Sequence, residues 1–191
     1  MKSFRCLNWA SADGWRPRAG HRPNLDYDAA ALDVVEDLSG YGPVRMPEIS
    51  EICVARLLLE AARARWGTVI DDAGEPVGVI TLRELQSPHS AQRARQLGLR
   101  WNEVPVRYLM TPLTALPVIG LGQLEGARVG DLAETLCRSG CEFLLVGDDG
   151  QIRGIVACST LIERTGRPLA IRHQPASFAE VVHAVSHPDE H

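Results

Sequence analysis

The chain has 191 residues, 45% of them apolar and 23% charged, with 20 basic against 24 acidic side chains and a formal charge of −4. These proportions are those of a soluble globular protein, and they exclude disordered, collagen-like and coiled-coil chains; the length corresponds to one domain or two small ones. The mild acidity argues against a nucleic-acid binder built on a basic surface. No apolar run approaches the ~20 residues of a membrane span, and the N-terminus has no apolar core of a secretory leader. The expectation is a cytoplasmic protein with neither nucleic acid nor membrane as partner.

Aromatic residues are only 5% of the chain, so the core must be built of small aliphatic side chains, which suits helices packed on sheets. The five cysteines (Cys6, Cys53, Cys137, Cys141 and Cys158) contain no CxxC pair and read as ordinary thiols rather than a disulfide framework. Cys137 and Cys141, four apart, would share a face of a helix, but two thiols alone do not fill a tetrahedral zinc site.

In chain order, residues 1–28 form a flexible arm. Lys2, Arg5, Arg16, Arg18 and Arg22 against Asp13 give its first 23 residues +4 and leave −8 on the remainder. Pro17, Pro23, Gly14 and Gly20 break any periodicity there, and Trp9 and Trp15 are candidates for contacting a neighbouring subunit. A first unit covers residues 29–87. Ala29–Leu38 is expected as a short helix capped by Asp28, and Val44–Met46 as a strand ended by Pro47. Ser50–Trp66 reads as a helix capped by Ser50, with Ile52, Leu58, Leu59 and Ala62 on its apolar face. Thr68–Ile70 is a strand, Asp71-Asp72-Ala73-Gly74 a turn and Val77–Ile80 a second strand. Thr81 and Glu84 then open a helix with a reciprocal capping box.

Residues 88–104 are expected as a linker with a helix over Ala91–Leu97, and residues 105–166 as a second unit. There the order recurs: a helix over Val129–Arg138 with Leu132, Ala133 and Leu136 on one side, a strand over Phe143–Val146, a turn at Asp148-Asp149-Gly150, a strand over Ile152–Val156, and a helix opened by Thr160 and Glu163 as a further capping box. Gly74 maps onto Gly150, Gly78 onto Gly154 and Asp72 onto Asp148, each 76 residues apart. The chain is an internal duplication, and each unit is too small to bury a sufficient core alone. Residues 167–191 form a tail. Its His183, His187 and His191 are spaced by four, but Pro188 interrupts any helix that would align them.

Two copies of an apolar strand, an Asp-x-x-Gly turn and a Gly-apolar-apolar-Thr-x-x-acid helix start, with Leu109-Met110-Thr111-Pro112 leading into the second, resemble a tandem pair of CBS domains. This family is named for cystathionine beta-synthase, and the pair is called a Bateman module. The resemblance covers residues 39–166. Its short tail, with Ser177-Phe178-Ala179-Glu180, is similar to that of the stand-alone bacterial members. It implies an α/β (α+β) fold of two β-α-β-β-α units packed about a pseudo-twofold axis. It further implies clefts between the units that take AMP, ADP, ATP or S-adenosylmethionine as a regulatory ligand, and a homodimer that signals to a protein partner. No cofactor is required and no metal is expected.

In the family motif the acid accepts hydrogen bonds from the ribose hydroxyls and the Ser or Thr lies near phosphate. Two vicinal hydroxyls match the two oxygens of a carboxylate, and a helix N-terminus favours phosphate. The first unit supplies Gly78, Thr81 and Glu84, with Glu in place of the usual Asp. The capping box explains Thr81 and Glu84 without any ligand, and both readings stand. Arg83, Arg45 and Arg107 are candidate phosphate cations, each equally readable as a surface charge. The second unit has Ala157 and Thr160 at the corresponding positions and so lacks both functional groups. The sequence contains no GxSxG, P-loop, HExxH or strand-following GxGxxG motif, so the reading is a binding module and not an enzyme. The alternative is a ligand-free scaffold acting by dimerisation or protein association.

Overall fold

The computed structural model describes residues 25–38 and 44–170; residues 1–24 of the expected arm, with Trp9 and Trp15, and 171–191 of the tail, with its histidines, lie outside the described residues, whereas Leu25 and Tyr27 at the end of the arm pack on the body, the Leu25 N–H donating to the Arg164 carbonyl at 2.7 Å. Eight strands and five α-helices follow in chain order: β1 (Glu36–Asp37), β2 (Arg45–Pro47), α1 (Ile52–Ala61), β3 (Trp66–Ile70), β4 (Pro76–Thr81), α2 (Leu82–Leu85), α3 (Pro88–Leu97), β5 (Thr111–Pro112), β6 (Val118–Gly120), α4 (Val129–Ser139), β7 (Phe143–Asp148), β8 (Gln151–Ala157) and α5 (Cys158–Thr165). They make two four-stranded sheets, ordered β2-β3-β4-β5 and β1-β8-β7-β6. The duplication is visible in the pairing. β2 runs parallel to β3 as β6 does to β7, and β3–β4 and β7–β8 are antiparallel hairpins, each with a register shift near its turn.

The turns follow from local chemistry. Oδ1 of Asp71 accepts from the N–H groups of Ala73 and Glu75, both at 2.9 Å, and Gly74 takes φ +84°, a conformation open to glycine at little cost. In the second hairpin Asp149 and Gly150 take φ +48° and +75°.

The inner strands β3, β4 and β7 and the second half of β8 are buried on both faces, and there the strands read as largely continuous apolar runs. Side chains alternate between two cores. Val69 and Ile80 face α1 and α3 in the first unit, and Leu144, Val146 and Val156 face α4 and α5 in the second. Trp66, Val79, Leu145, Ile155 and Ala157 point the other way into a shared core between the sheets. There Trp66 and Phe143, which occupy equivalent places in the two units, meet edge to face with ring centroids 5.5 Å apart.

Several elements differ from expectation. Ala29–Leu38 is not a helix: only a 3-10 turn forms over Ala31–Val34, and Glu36–Asp37 extends to pair with β8 of the second unit (Glu36↔Ile155, Asp37↔Gly154). Reciprocally, β5 precedes the second unit but pairs with β4 of the first (Gly78↔Pro112, Val79↔Thr111). The units therefore exchange edge strands, and an open sheet edge overrides weak local helix propensity. The helix expected from Ser50 to Trp66 spans Ile52–Ala61, buries Ile52, Ala55 and Leu59, and leaves Leu58 and Ala62 exposed. Ser50 does not cap it; its carbonyl accepts from Val106, and the Ile52 N–H goes instead to the Val104 carbonyl (2.9 Å). The linker helix begins earlier, with Pro88 in the first turn, and the segment packs on the first core through Ala94, Leu97, Trp101 and Val104. α4 buries Leu132, Ala133 and Leu136 as expected, but ends on Gly140 at φ +68°, which takes Cys141 off the helix and away from a face shared with Cys137.

Candidate functional site

A cleft of about 250 Å³ opens where the end of β4 and the start of α2 meet the second unit. One wall is Val79, Ile80, Thr81, Arg83 and Glu84; the other is Cys141, Glu142 and Phe143, with Leu109, Thr111, Ala115 and Leu116 from the connecting segment. A ligand in it would touch both units. The structure thus brings together Thr81, Arg83 and Glu84 but not Gly78 or Arg45.

Thr81 is the N-cap of α2: its Oγ1 accepts from the Glu84 N–H at 3.0 Å. The reciprocal half of the expected box is replaced, because the Glu84 carboxylate turns to His89, whose Nδ1 donates to Oε1 at 2.8 Å. Arg83 reaches across the cleft to Glu142, Nη2 to Oε1 at 2.5 Å. Arg45 donates to the Gly74 carbonyl on the β3–β4 turn at 2.6 Å, and Arg107 lies over the Tyr108 ring, 5.0 Å from its centroid.

Gly78 serves the exchanged strand. A Cβ there would lie 2.6 Å from Met110 Sδ and 2.9 Å from the Thr111 carbonyl oxygen. Gly154 repeats this arrangement, at 2.6 Å from Val35 Cγ1 and 2.9 Å from the Glu36 carbonyl oxygen. The close approach that the sequence suggested for a ligand is made by backbone of the other unit.

The second unit is organised differently from expectation. α5 starts at Cys158 on an Ala157 cap without a side-chain bond, so Thr160 is inside the helix and makes no capping box with Glu163. Instead Thr160 Oγ1 donates to the Glu36 carboxylate on β1. Position 160 answers to 84, and β1 answers to β5, so that Glu36 stands where Thr111 stands in the first unit. Glu84 with Thr111 in one half thus becomes Thr160 with Glu36 in the other, the acid and the hydroxyl having changed places. Extending the repeat upstream, Val34-Val35-Glu36-Asp37 against Leu109-Met110-Thr111-Pro112, is the signal that would have found Glu36. Glu142 carries no motif and was missed.

Burial, then the neighbouring Glu142 carboxylate and the Cys137 thiol, push the Cys158 thiol up to about 11, so it is a neutral core group. Among the described residues no three His, Cys, Asp or Glu side chains are placed to hold a metal, and no helix is long and apolar enough to cross a membrane.

No protein-family model matches the chain, and no curated protein matches it. Among solved structures, an uncharacterized conserved protein from Pyrococcus horikoshii is similar over 78% of this chain and 100% of its own, at 20% identity and TM-score 0.52. A CBSX2 structure in complex with AMP is similar over 71% of this chain and 94% of its own, at 21% identity and TM-score 0.49. A conserved CBS domain protein of unknown function from Thermoplasma acidophilum is similar over 76% and 71%, at 22% identity and TM-score 0.45. The fold is a mixed α/β arrangement of two units with two four-stranded sheets and five helices, and the likeness to the Pyrococcus horikoshii protein is one of fold.

Proposed function

We propose that the chain is a regulatory module of the stand-alone bacterial tandem CBS kind, which binds an adenosine ligand (AMP, ADP, ATP or S-adenosylmethionine) in this cleft and signals to a protein partner. The observation that carries this is the shared cleft: Thr81 and Glu84 of the first unit face Glu142 and Phe143 of the second. A ligand held by both halves shifts their relative orientation through its differential affinity for the two arrangements. Val79, Ile80, Leu109 and Leu116 offer aliphatic walls for a base, and the Glu84 carboxylate accepts from ribose hydroxyls. The module acts by binding and not by catalysis, as a homodimer. The apolar outer face of α1, with Val54 45%, Leu57 65% and Leu58 40% exposed, supports that association.

Calorimetric and thermal-shift titration with the four ligands tests the reading. Binding that Glu84→Ala weakens at least tenfold is the expected result. Absence of heat and of any melting shift at millimolar ligand overturns it and leaves the second reading, a ligand-free scaffold. That reading is favoured by the ion pair Arg83–Glu142, which already spans the cleft.

A further inference from the structure

The two units differ in one place on their outer surface. Four residues connect β2 to α1, whereas eight connect β6 to α4. The longer connection brings Leu124 and Ala127 beside Ile119 of β6 and Leu132 of α4, and a groove of about 180 Å³ opens among them. Its polar groups are those of Gln123, Asp131 and Thr135. Counting back from Phe143 and Trp66, Asp131, Glu134 and Thr135 stand where α1 carries Val54, Leu57 and Leu58. The groove thus has an acidic rim where α1 has an apolar ridge. Oδ2 of Asp131 accepts from the Arg128 N–H at 2.8 Å, and Oδ1 has no partner among the described residues. Glu134 holds Arg138 in an exposed pair, and a carboxylate accepts from more than one guanidinium.

The groove lies in the acidic half of the molecule. Residues 25–38 and 111–170 carry twelve acidic side chains against five arginines, whereas residues 44–110 carry eight against nine. Residues 1–24 have the opposite balance, five basic side chains against Asp13 alone. They join the body at this unit. The Leu25 N–H donates to the Arg164 carbonyl at 2.7 Å, and the Tyr27 carbonyl accepts from the Gly130 N–H in the first turn of α4 at 2.9 Å. Asp131 and Leu132 of the groove are in that same turn. Trp15 is ten residues before Leu25, a reach of up to ~33 Å, and the 11 residues of α4 span only ~16 Å. Arg16 and Arg18 accompany Trp15, whereas Trp9 has no cation within three residues.

We propose that this groove is the docking site of the chain's own N-terminal segment, with the Trp15 indole against its aliphatic wall and Arg16 and Arg18 at the Asp131 and Glu134 rim. An indole is a large apolar body with a single N–H donor that requires an acceptor when buried, and Asp131 Oδ1 is such an acceptor at the groove. Opposite charge steers the segment to this half of the molecule. Attachment at Leu25 holds it there at an effective concentration of about millimolar, so one anchoring side chain suffices. The docking does not depend on any ligand in the cleft between the units.

The test is fluorine NMR on the full chain labelled with fluorotryptophan, with a soluble nitroxide as the probe of exposure. Trp15→Phe assigns the Trp15 signal. Trp66 in the shared core and Trp101 on the first core report whether the fold is intact. In the parent the nitroxide should broaden Trp15 at least fivefold less than it broadens the same residue in a peptide of residues 12–22. Thr135→Arg, which sets a long cationic side chain at the groove, should bring Trp15 to the broadening of the peptide and leave the Trp66 and Trp101 signals in place. If those two signals move, Glu134→Arg at its exposed position makes the same test by charge. Arg16→Gln with Arg18→Gln should raise the broadening at least twofold. A parent Trp15 as broadened as the peptide overturns the docking. Protection that neither groove variant reduces overturns the groove as its place, and protection unmoved by the arginine variants overturns the role of charge. Protection lost on tenfold dilution gives the groove to the segment of a second copy and overturns docking within one chain.

Discussion

Replacing Gly154 by alanine probes the exchanged strands directly. The new methyl would sit 2.6 Å from Val35 Cγ1 and 2.9 Å from the Glu36 carbonyl oxygen. The second contact is backbone, so β1 must move off β8 as a whole, breaking the two register pairs that join them. Overpacking of this kind costs about 1–3 kcal/mol. For a chain of this size 1 kcal/mol lowers the melting temperature by roughly 2–4 °C, so a fall of roughly 2–12 °C is expected by circular dichroism. Gly78→Ala should act in the same direction through the Thr111 carbonyl at 2.9 Å, with some relief because the flexible Met110 side chain can yield. Gly120→Ala is the control. Its Cβ would meet nothing nearer than 4.0 Å and its φ is −59°, so the change stays within about 0.5 kcal/mol. All three are measured without ligand. Melting of Gly154→Ala and Gly78→Ala indistinguishable from Gly120→Ala would refute the strand-exchange account and return Gly78 to a ligand role.

Three further outcomes follow from burial and exposure. Because the Cys158 thiol sits at about 11 against an ordinary 9.0, native-state alkylation at pH 8 should label it at least tenfold more slowly than the partly exposed Cys53, Cys137 and Cys141, as read by mass spectrometry; equal rates would contradict its burial. The folded state holds that proton more tightly than the unfolded chain does. Its contribution to stability is therefore complete below pH 9 and is lost as the pH rises toward about 11. Leu57→Glu, on the exposed face of α1, should leave the far-UV circular dichroism spectrum of the fold unchanged while converting the proposed dimer to monomer in sedimentation velocity, with melting lowered only by the lost subunit contact. An unchanged sedimentation coefficient would exclude that face as the contact.

Local chemistry made much of the fold legible. The 76-residue offset announced the duplication, the Asp and Gly clusters located both hairpin turns, and Thr81 was recognisable as a cap because the Ser/Thr-x-x-Glu spacing acts within one helical turn. Thr81, Arg83 and Glu84 were singled out together through the resemblance to the family motif, and all three line the cleft. The companions of these residues were not legible. Glu142 is brought to Arg83, and Glu36 to Thr160, across sequence separations at which no periodicity or motif operates.

What the sequence determined by itself was set over a few residues or by repetition: the hairpin strands and their turns, the α2 cap and the presence of two equivalent halves. The tertiary structure alone decided where each half finds its edge strand. Residues 36–37 and 111–112 are too short to declare themselves, and only an unpaired sheet edge in the other unit gives them a place. The same packing sets Gly78 and Gly154 against backbone of the exchanged strands, and sets Glu142 opposite Arg83, where their charges meet over the cleft.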